Sequence, residues 1–196
     1  MDDATTARRV VIGEDETLVR LDLVALLERA GFHVVGTAAE GHEFVRLALE
    51  LLPDLIVSDI RMPGVDGIEA TRQILAVHDV PVVFVTGFPQ ADIIARSVEA
   101  GAFAYLTKPF READLMAAIA HAEARFSEGA RLRAEADALH ASLDRRRLVE
   151  RAAVVVARAE RISPADALER ISQASVRSGR TTAAVAEAIL EAVPDV

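Results

Sequence analysis

The chain has 196 residues, 52% of them hydrophobic, with 22 basic and 31 acidic side chains for a net charge of −9. There is no cysteine, which excludes a disulfide scaffold, a thiolate zinc site and a cysteine nucleophile. Aromatic residues are scarce, the five histidines lack ligand spacing, and no apolar stretch approaches the roughly 20 residues a membrane span needs. The acidic, polar start offers no signal-peptide core, so a cytoplasmic protein is expected.

Two asymmetries stand out. All the excess negative charge lies in residues 1–125, whereas 126–196 balance, which suggests two modules. Lys108 is the single lysine among the 22 basic residues. Arginine use of that kind reflects base composition, so the one retained lysine marks a position where the two cations are not interchangeable.

In chain order, Val10–Ile12 reads as a buried strand ending at Gly13-Glu14-Asp15. Residues 16–30 carry helical periodicity, with Gly31 as a stop. A strand over 33–36 and a helix over 40–51 follow, stopped by Pro53. Leu55–Val57 form a strand ending at Asp59, and 66–77 a helix. Pro81 opens a strand over 82–85 that ends at Thr86; 90–100 read as a helix; 103–106 form a strand ending at Lys108-Pro109. Short apolar strands alternating with helices predict an α/β fold, a five-stranded doubly wound parallel sheet. Ligands of such sheets sit beyond the carboxyl ends of the strands, which here carry Glu14, Asp15, Asp59, Thr86 and Lys108.

Beyond Pro109, residues 111–142 look helical throughout. Leu115, Ile119, Ala122 and Phe126 have coiled-coil spacing, resumed by Leu132, Ala136, Leu139 and Leu143 after a phase slip near Gly129. The helix either pairs with a second copy or packs on its own domain. Residues 144–196 read as a small three-helix bundle: about 144–160, then a helix opened by Ser163-Pro164 and broken at Ser178-Gly179, then one capped by Thr181 or Thr182. The expected boundaries are 1–125, a connecting helix over 126–143, and 144–196.

Three converging carboxylates repel one another, and a divalent cation with oxygen ligands resolves the conflict. Mg²⁺ suits a shallow site with one or two carboxylates, waters and a phosphoryl oxygen. Lys108 adds a mobile ammonium and Thr86 a hydroxyl donor. A carboxylate so flanked is a phosphoryl acceptor, and Asp59 is the expected nucleophile because the Met62-Pro63-Gly64 turn follows it.

These residues, with Tyr105, resemble the receiver domain of bacterial response regulators over about residues 8–125. The resemblance implies that Asp15, Asp59 and the backbone carbonyl of Arg61 bind Mg²⁺, with Glu14 acting through water or orienting the site. It implies that Asp59 takes a phosphoryl group from a sensor histidine kinase or a small phosphodonor. Thr86 and Tyr105 would act as the switch, and the Lys108–Pro109 bond would be cis. The chain would catalyse only its own phosphorylation and dephosphorylation. A haloacid-dehalogenase-type phosphatase would need an acid two residues after Asp59, where Arg61 stands. Arg61 and Phe88 are bulky flanks expected to slow water attack on the acyl phosphate.

Arg145, Arg146, Arg147, Arg151 and Arg158 load one helix with positive charge, and Arg180 follows. This arginine run, the Ser-Pro helix start and Val185-Ala186-Glu187-Ala188-Ile189 resemble the ANTAR domain over about residues 132–193. That resemblance implies binding of RNA stem-loops for transcription antitermination, by a homodimer formed on phosphorylation. Ala153-Val154 stand where the family usually has Lys-Gly, a departure expected to remove a cation from the RNA face. The alternatives are a module that binds a protein, or a phosphate sink without RNA output.

Overall fold

The computed structural model describes residues 7–87 and 104–192. The chain divides into two compact units, up to Gly129 and from Ala130 on.

The first unit contains β1 (Arg9–Gly13), α1 (Thr17–Arg29), β2 (His33–Ala38), α2 (Gly41–Leu51), β3 (Leu55–Asp59), α3 (Gly67–Leu75), β4 (Val82–Thr86) and β5 (Ala104–Thr107). All pairings are parallel and the strand order is β2-β1-β3-β4-β5. The helix expected over 90–100 lies outside the described residues. Period-two alternation divides the strand side chains between two cores. Val10, Ile12, Leu55, Val57, Val83 and Val85 pack with Leu23, Leu27, Leu115 and Ile119. Val11, Ile56, Val82 and Phe84 pack with Phe44, Ile68 and Ile74. Burial on both faces is why the strands read as continuous apolar runs.

Chain order reverses between β1 and β3, which sit side by side at the middle of the sheet. That is the switch point where such sheets bind ligands. Gly13 is in register with Ser58, and Asp59 with Val85, so the ends of β1, β3 and β4 lie abreast. Helix α3 is shorter than expected, ending at Leu75. Its start is fixed by Asp66, whose carboxylate accepts from the Glu69 backbone N–H at 2.8 Å.

A single helix, α4 (Glu112–Glu160), replaces the two expected over 111–142 and 144–160. No proline and no glycine stand between Ala130 and Ile162, so nothing ends it at residue 143. The expected three-helix bundle is therefore the end of α4 with α5 (Pro164–Ser178) and α6 (Thr182–Ala192). Ser163 caps α5 by accepting from Asp166 N at 3.1 Å, with Pro164 in its first turn. Gly179, at φ +67°, ends it. Ala152, Ala153, Ala167, Ile171 and Ala186 form the small core of this unit.

The coiled-coil pattern on α4 splits into two fates. Leu115, Ile119 and Ala122 are buried in the first unit's own core. Leu132, Leu139 and Leu143 are exposed by 52%, 61% and 44%, an apolar stripe without cover.

Candidate functional site

Glu14 follows the last residue of β1 and Asp59 ends β3, so the parallel register brings the two acids together. One carboxylate oxygen from each of Glu14, Asp15 and Asp59 lies within 4.8 Å of the others. Glu14 and Asp59 are buried, whereas Asp15 is exposed. Lys108, just past β5, donates from Nζ to Asp59 Oδ2 at 2.7 Å and to Glu14 Oε1 at 2.9 Å. It also lies 2.8 Å from Glu14 Oε2, a buried oxygen that receives no hydrogen bond, and 3.5 Å from Glu16. The Lys108 backbone N–H donates to the Thr86 carbonyl at 2.8 Å, tying the end of β5 to that of β4. The Lys108–Pro109 bond is cis.

Burial, with the repulsion of Asp59 adding to it, pushes the Glu14 carboxyl up to about 7 although Lys108 pulls the other way. For Lys108 burial opposes the charge, but the hydrogen bonds to Asp59 and Glu14 outweigh it and hold the ammonium above its ordinary value. Asp59 is further held by the Arg61 backbone N–H, which donates to Oδ1 at 3.1 Å. The donor set fits Mg²⁺: hard carboxylate oxygens, an under-bonded buried Glu14 Oε2, and an exposed Asp15 with room for waters.

Thr86 is buried at the end of β4, and Tyr105 on β5 is 53% exposed. Phe88 lies outside the described residues. Sequence reasoning missed two participants, Glu16 beside Lys108 and Gly67. A Cβ on Gly67 would stand 1.8 Å from the Asp59 carbonyl oxygen, so only glycine lets α3 start this close to the acceptor strand. A depression of about 470 Å³ adjoins the site, lined by Glu16, Leu18, Val19, Asp22, Lys108 and Phe110 among others. Leu18 and Leu21 on α1 are 82% and 60% exposed.

In the second unit the predicted arginines are all exposed but do not share one face. Arg147, Arg151 and Arg158 follow an i, i+4, i+11 spacing, opposite the side that packs Val149, Ala152 and Val156. Arg145 and Arg146 instead border a groove with Thr181 and Thr182. Arg180 is turned onto its own backbone, donating to the Ala184 carbonyl at 3.0 Å. Ala153, in place of the lysine, is 2% exposed and lies in the small core, whereas Val154, in place of the glycine, is 45% exposed.

A carboxylate cluster bridged by one lysine, at the switch point of a β2-β1-β3-β4-β5 sheet, defines a receiver. Residues 10–120 match the response regulator receiver domain and residues 137–190 the ANTAR domain. The chain belongs to the response regulator family, with a receiver domain followed by an ANTAR domain. It is 41% identical over 189 residues to the transcriptional regulatory protein PdtaR of Mycobacterium tuberculosis, covering 96% of this chain and 92% of that one. It is 42% identical over 113 residues to LiaR of Bacillus subtilis, covering 57% and 54%. Among solved structures, the receiver domain of NarL from Mycobacterium tuberculosis is similar with a TM-score of 0.55 at 28% identity, covering 58% of this chain and 93% of that one. Among the described residues no helix is long and apolar enough to cross a membrane.

Proposed function

We propose that this cytoplasmic response regulator accepts a phosphoryl group on Asp59 from a sensor histidine kinase, dimerises, and binds RNA stem-loops to prevent transcription termination. The observation that carries the reading is Lys108 bridging Asp59 and Glu14 inside the acid cluster. An Asp59 carboxylate oxygen forms the bond to phosphorus as the bond from phosphorus to the kinase imidazole nitrogen breaks. The departing imidazole takes up a proton. Asp15, Asp59 and the Arg61 carbonyl would hold Mg²⁺, with Glu14 orienting the site. The ion supplies charge neutralisation at the phosphoryl oxygens. Lys108 then exchanges an Asp59 oxygen for a phosphoryl oxygen, and Thr86 donates its hydroxyl to the same group. Tyr105, exposed on the neighbouring strand, carries the change to the surface. The exposed leucines of α1 beside the adjoining depression give a kinase an apolar seat next to the acceptor.

Incubation with acetyl phosphate and Mg²⁺ should add the mass of one phosphoryl group, located on the peptide containing Asp59. Sedimentation should show a monomer becoming a dimer. Labelling elsewhere in the chain overturns the acceptor assignment. A monomer under both conditions overturns the dimer.

Arg61→Ala tests the control of lifetime. Its side chain is exposed beside the acceptor, and removing it opens a path for water. The phosphorylated half-life is expected to shorten several-fold, read as loss of label over time. An unchanged half-life refutes the shielding role.

The uncovered stripe Leu132, Leu139 and Leu143 has the spacing of a dimer seam. Leu139→Asp is expected to weaken dimerisation of the phosphorylated protein at least tenfold while leaving phosphorylation intact. Equal dimerisation in sedimentation would place the seam elsewhere.

A further inference from the structure

The Glu16 side chain stands at the mouth of the acceptor site without capping the helix it begins. Glu16 holds the N-cap position of α1, yet its carboxylate makes no capping hydrogen bond. That carboxylate is 66% exposed and lies 3.5 Å from Lys108 Nζ, the same ammonium that reaches Asp59 at 2.7 Å. Lys108 is its one ionic partner among the described residues. Glu16 and Asp22 both line the depression beside the site, and Lys108 is the one cation among its described lining residues. The ammonium is already drawn inward by Asp59 and Glu14, so the rim is left with an excess of negative charge.

We propose that Glu16 sets the choice of phosphodonor, favouring donors whose leaving atom is a protonated nitrogen over acyl phosphates. This rests on the reading of Asp59 as the acceptor and names the class of donor it takes. In either transfer an Asp59 oxygen forms the bond to phosphorus. With an acyl phosphate, the phosphorus–oxygen bond breaks and its electron pair departs on a carboxylate anion. With a phosphorylated imidazole or phosphoramidate, the phosphorus–nitrogen bond breaks and the electron pair departs on a nitrogen base that has taken up a proton. Attacking and leaving atoms lie roughly in line. Asp59 is buried, so the leaving group projects outward, to the rim where Glu16 is exposed. A fixed carboxylate there opposes a developing carboxylate and stabilises a nitrogen that carries positive charge. The phosphoryl group, Asp59 and Lys108 are common to both reactions. Their contributions cancel in the ratio of the two rates, which isolates the charge that the leaving group meets.

The test measures labelling rates of the full-length protein by intact mass, with acetyl phosphate and with phosphoramidate, each in the presence of Mg²⁺. Glu16→Gln should raise the acetyl phosphate rate about fivefold and leave the phosphoramidate rate level or lower, so the ratio moves by about fivefold or more. The shift should shrink as salt is raised. Asp22→Asn should move the ratio in the same direction and by less. Glu28→Gln is the control: it lies twelve residues further along α1, about 18 Å away and beyond a Debye length of about 10 Å, and should leave the ratio unchanged. The melting temperature of Glu16→Gln should match the wild type, because the side chain it replaces caps nothing. An unchanged ratio in Glu16→Gln, or an equal rise with both donors, overturns the role of Glu16 and leaves Asp59 as the acceptor. A wild-type protein that neither donor labels overturns the acceptor reading, and the role of Glu16 with it.

Discussion

Asp59→Asn is expected to take up no phosphoryl group from acetyl phosphate, and Lys108→Ala to lose about 3 kcal/mol of stability together with its response to phosphorylation. The two follow from one arrangement. Glu14 and Asp59 are almost wholly buried, and the Lys108 ammonium reaches both at hydrogen-bond distance. Removing the ammonium leaves two buried acids facing each other, and breaking a buried pair from one side costs about 3–5 kcal/mol. The low end applies because Glu14, held near 7, relieves part of the repulsion by taking a proton. The melting temperature should fall by about 10 °C. Millimolar Mg²⁺ should restore more of it in Lys108→Ala than in the wild type, since a cation entering the cluster takes over the missing neutralisation. Asp59→Asn keeps the site's shape and removes the nucleophile, so its loss is chemical and its melting curve stays cooperative. A Lys108→Ala melting temperature equal to the wild type would mean that the ammonium does not hold the cluster together.

The retained lysine was legible because arginine elsewhere is so dominant, and the strand ends because each apolar run stops at a polar residue. Strand order was not, since periodicity identifies strands without saying which lie side by side. Helix α4 misled on two counts. A change from Leu-Ala spacing to an arginine run looked like a boundary, yet a helix ends only where capping or a breaker ends it. Leu115 and Leu132 belong to the same kind of stripe, and only the sheet beside the first buries it. The division of the arginines was available from helical geometry alone, because Arg145 and Arg147 differ by about 200° around the axis. The groove beside Arg145 and Arg146 was not, because α5 supplies Leu168 and the start of α6 supplies Thr182. The same tertiary contact explains Gly67. The sequence marked Met62-Pro63-Gly64 as the turn over the acceptor, while the glycine under most constraint stands three residues later.

Gly67→Ala is expected to cost about 4 kcal/mol and to slow phosphorylation at least tenfold, far above the effect of one methyl group on most helices. The added Cβ would lie 1.8 Å from the Asp59 carbonyl oxygen and 2.7 Å from Ser58 Oγ. Neither neighbour can yield. The Asp59 carbonyl belongs to the strand that positions the acceptor, and Ser58 Oγ donates to that same oxygen at 2.9 Å. Helix α3 must therefore retreat, breaking the hydrogen bond from Gly67 N to the Ile60 carbonyl at 2.9 Å. The connecting segment moves with it, and with it the Arg61 N–H that holds Asp59 Oδ1. Stability and chemistry fall together because the helix start rests on the backbone of the acceptor itself. Gly87→Ala is the control, also at the edge of the site, where an added Cβ meets no described residue within 4 Å. It should change stability by no more than about 0.5 kcal/mol. If Gly67→Ala melts within a few degrees of Gly87→Ala and is labelled at the same rate, the close approach of α3 to Asp59 does not position the acceptor.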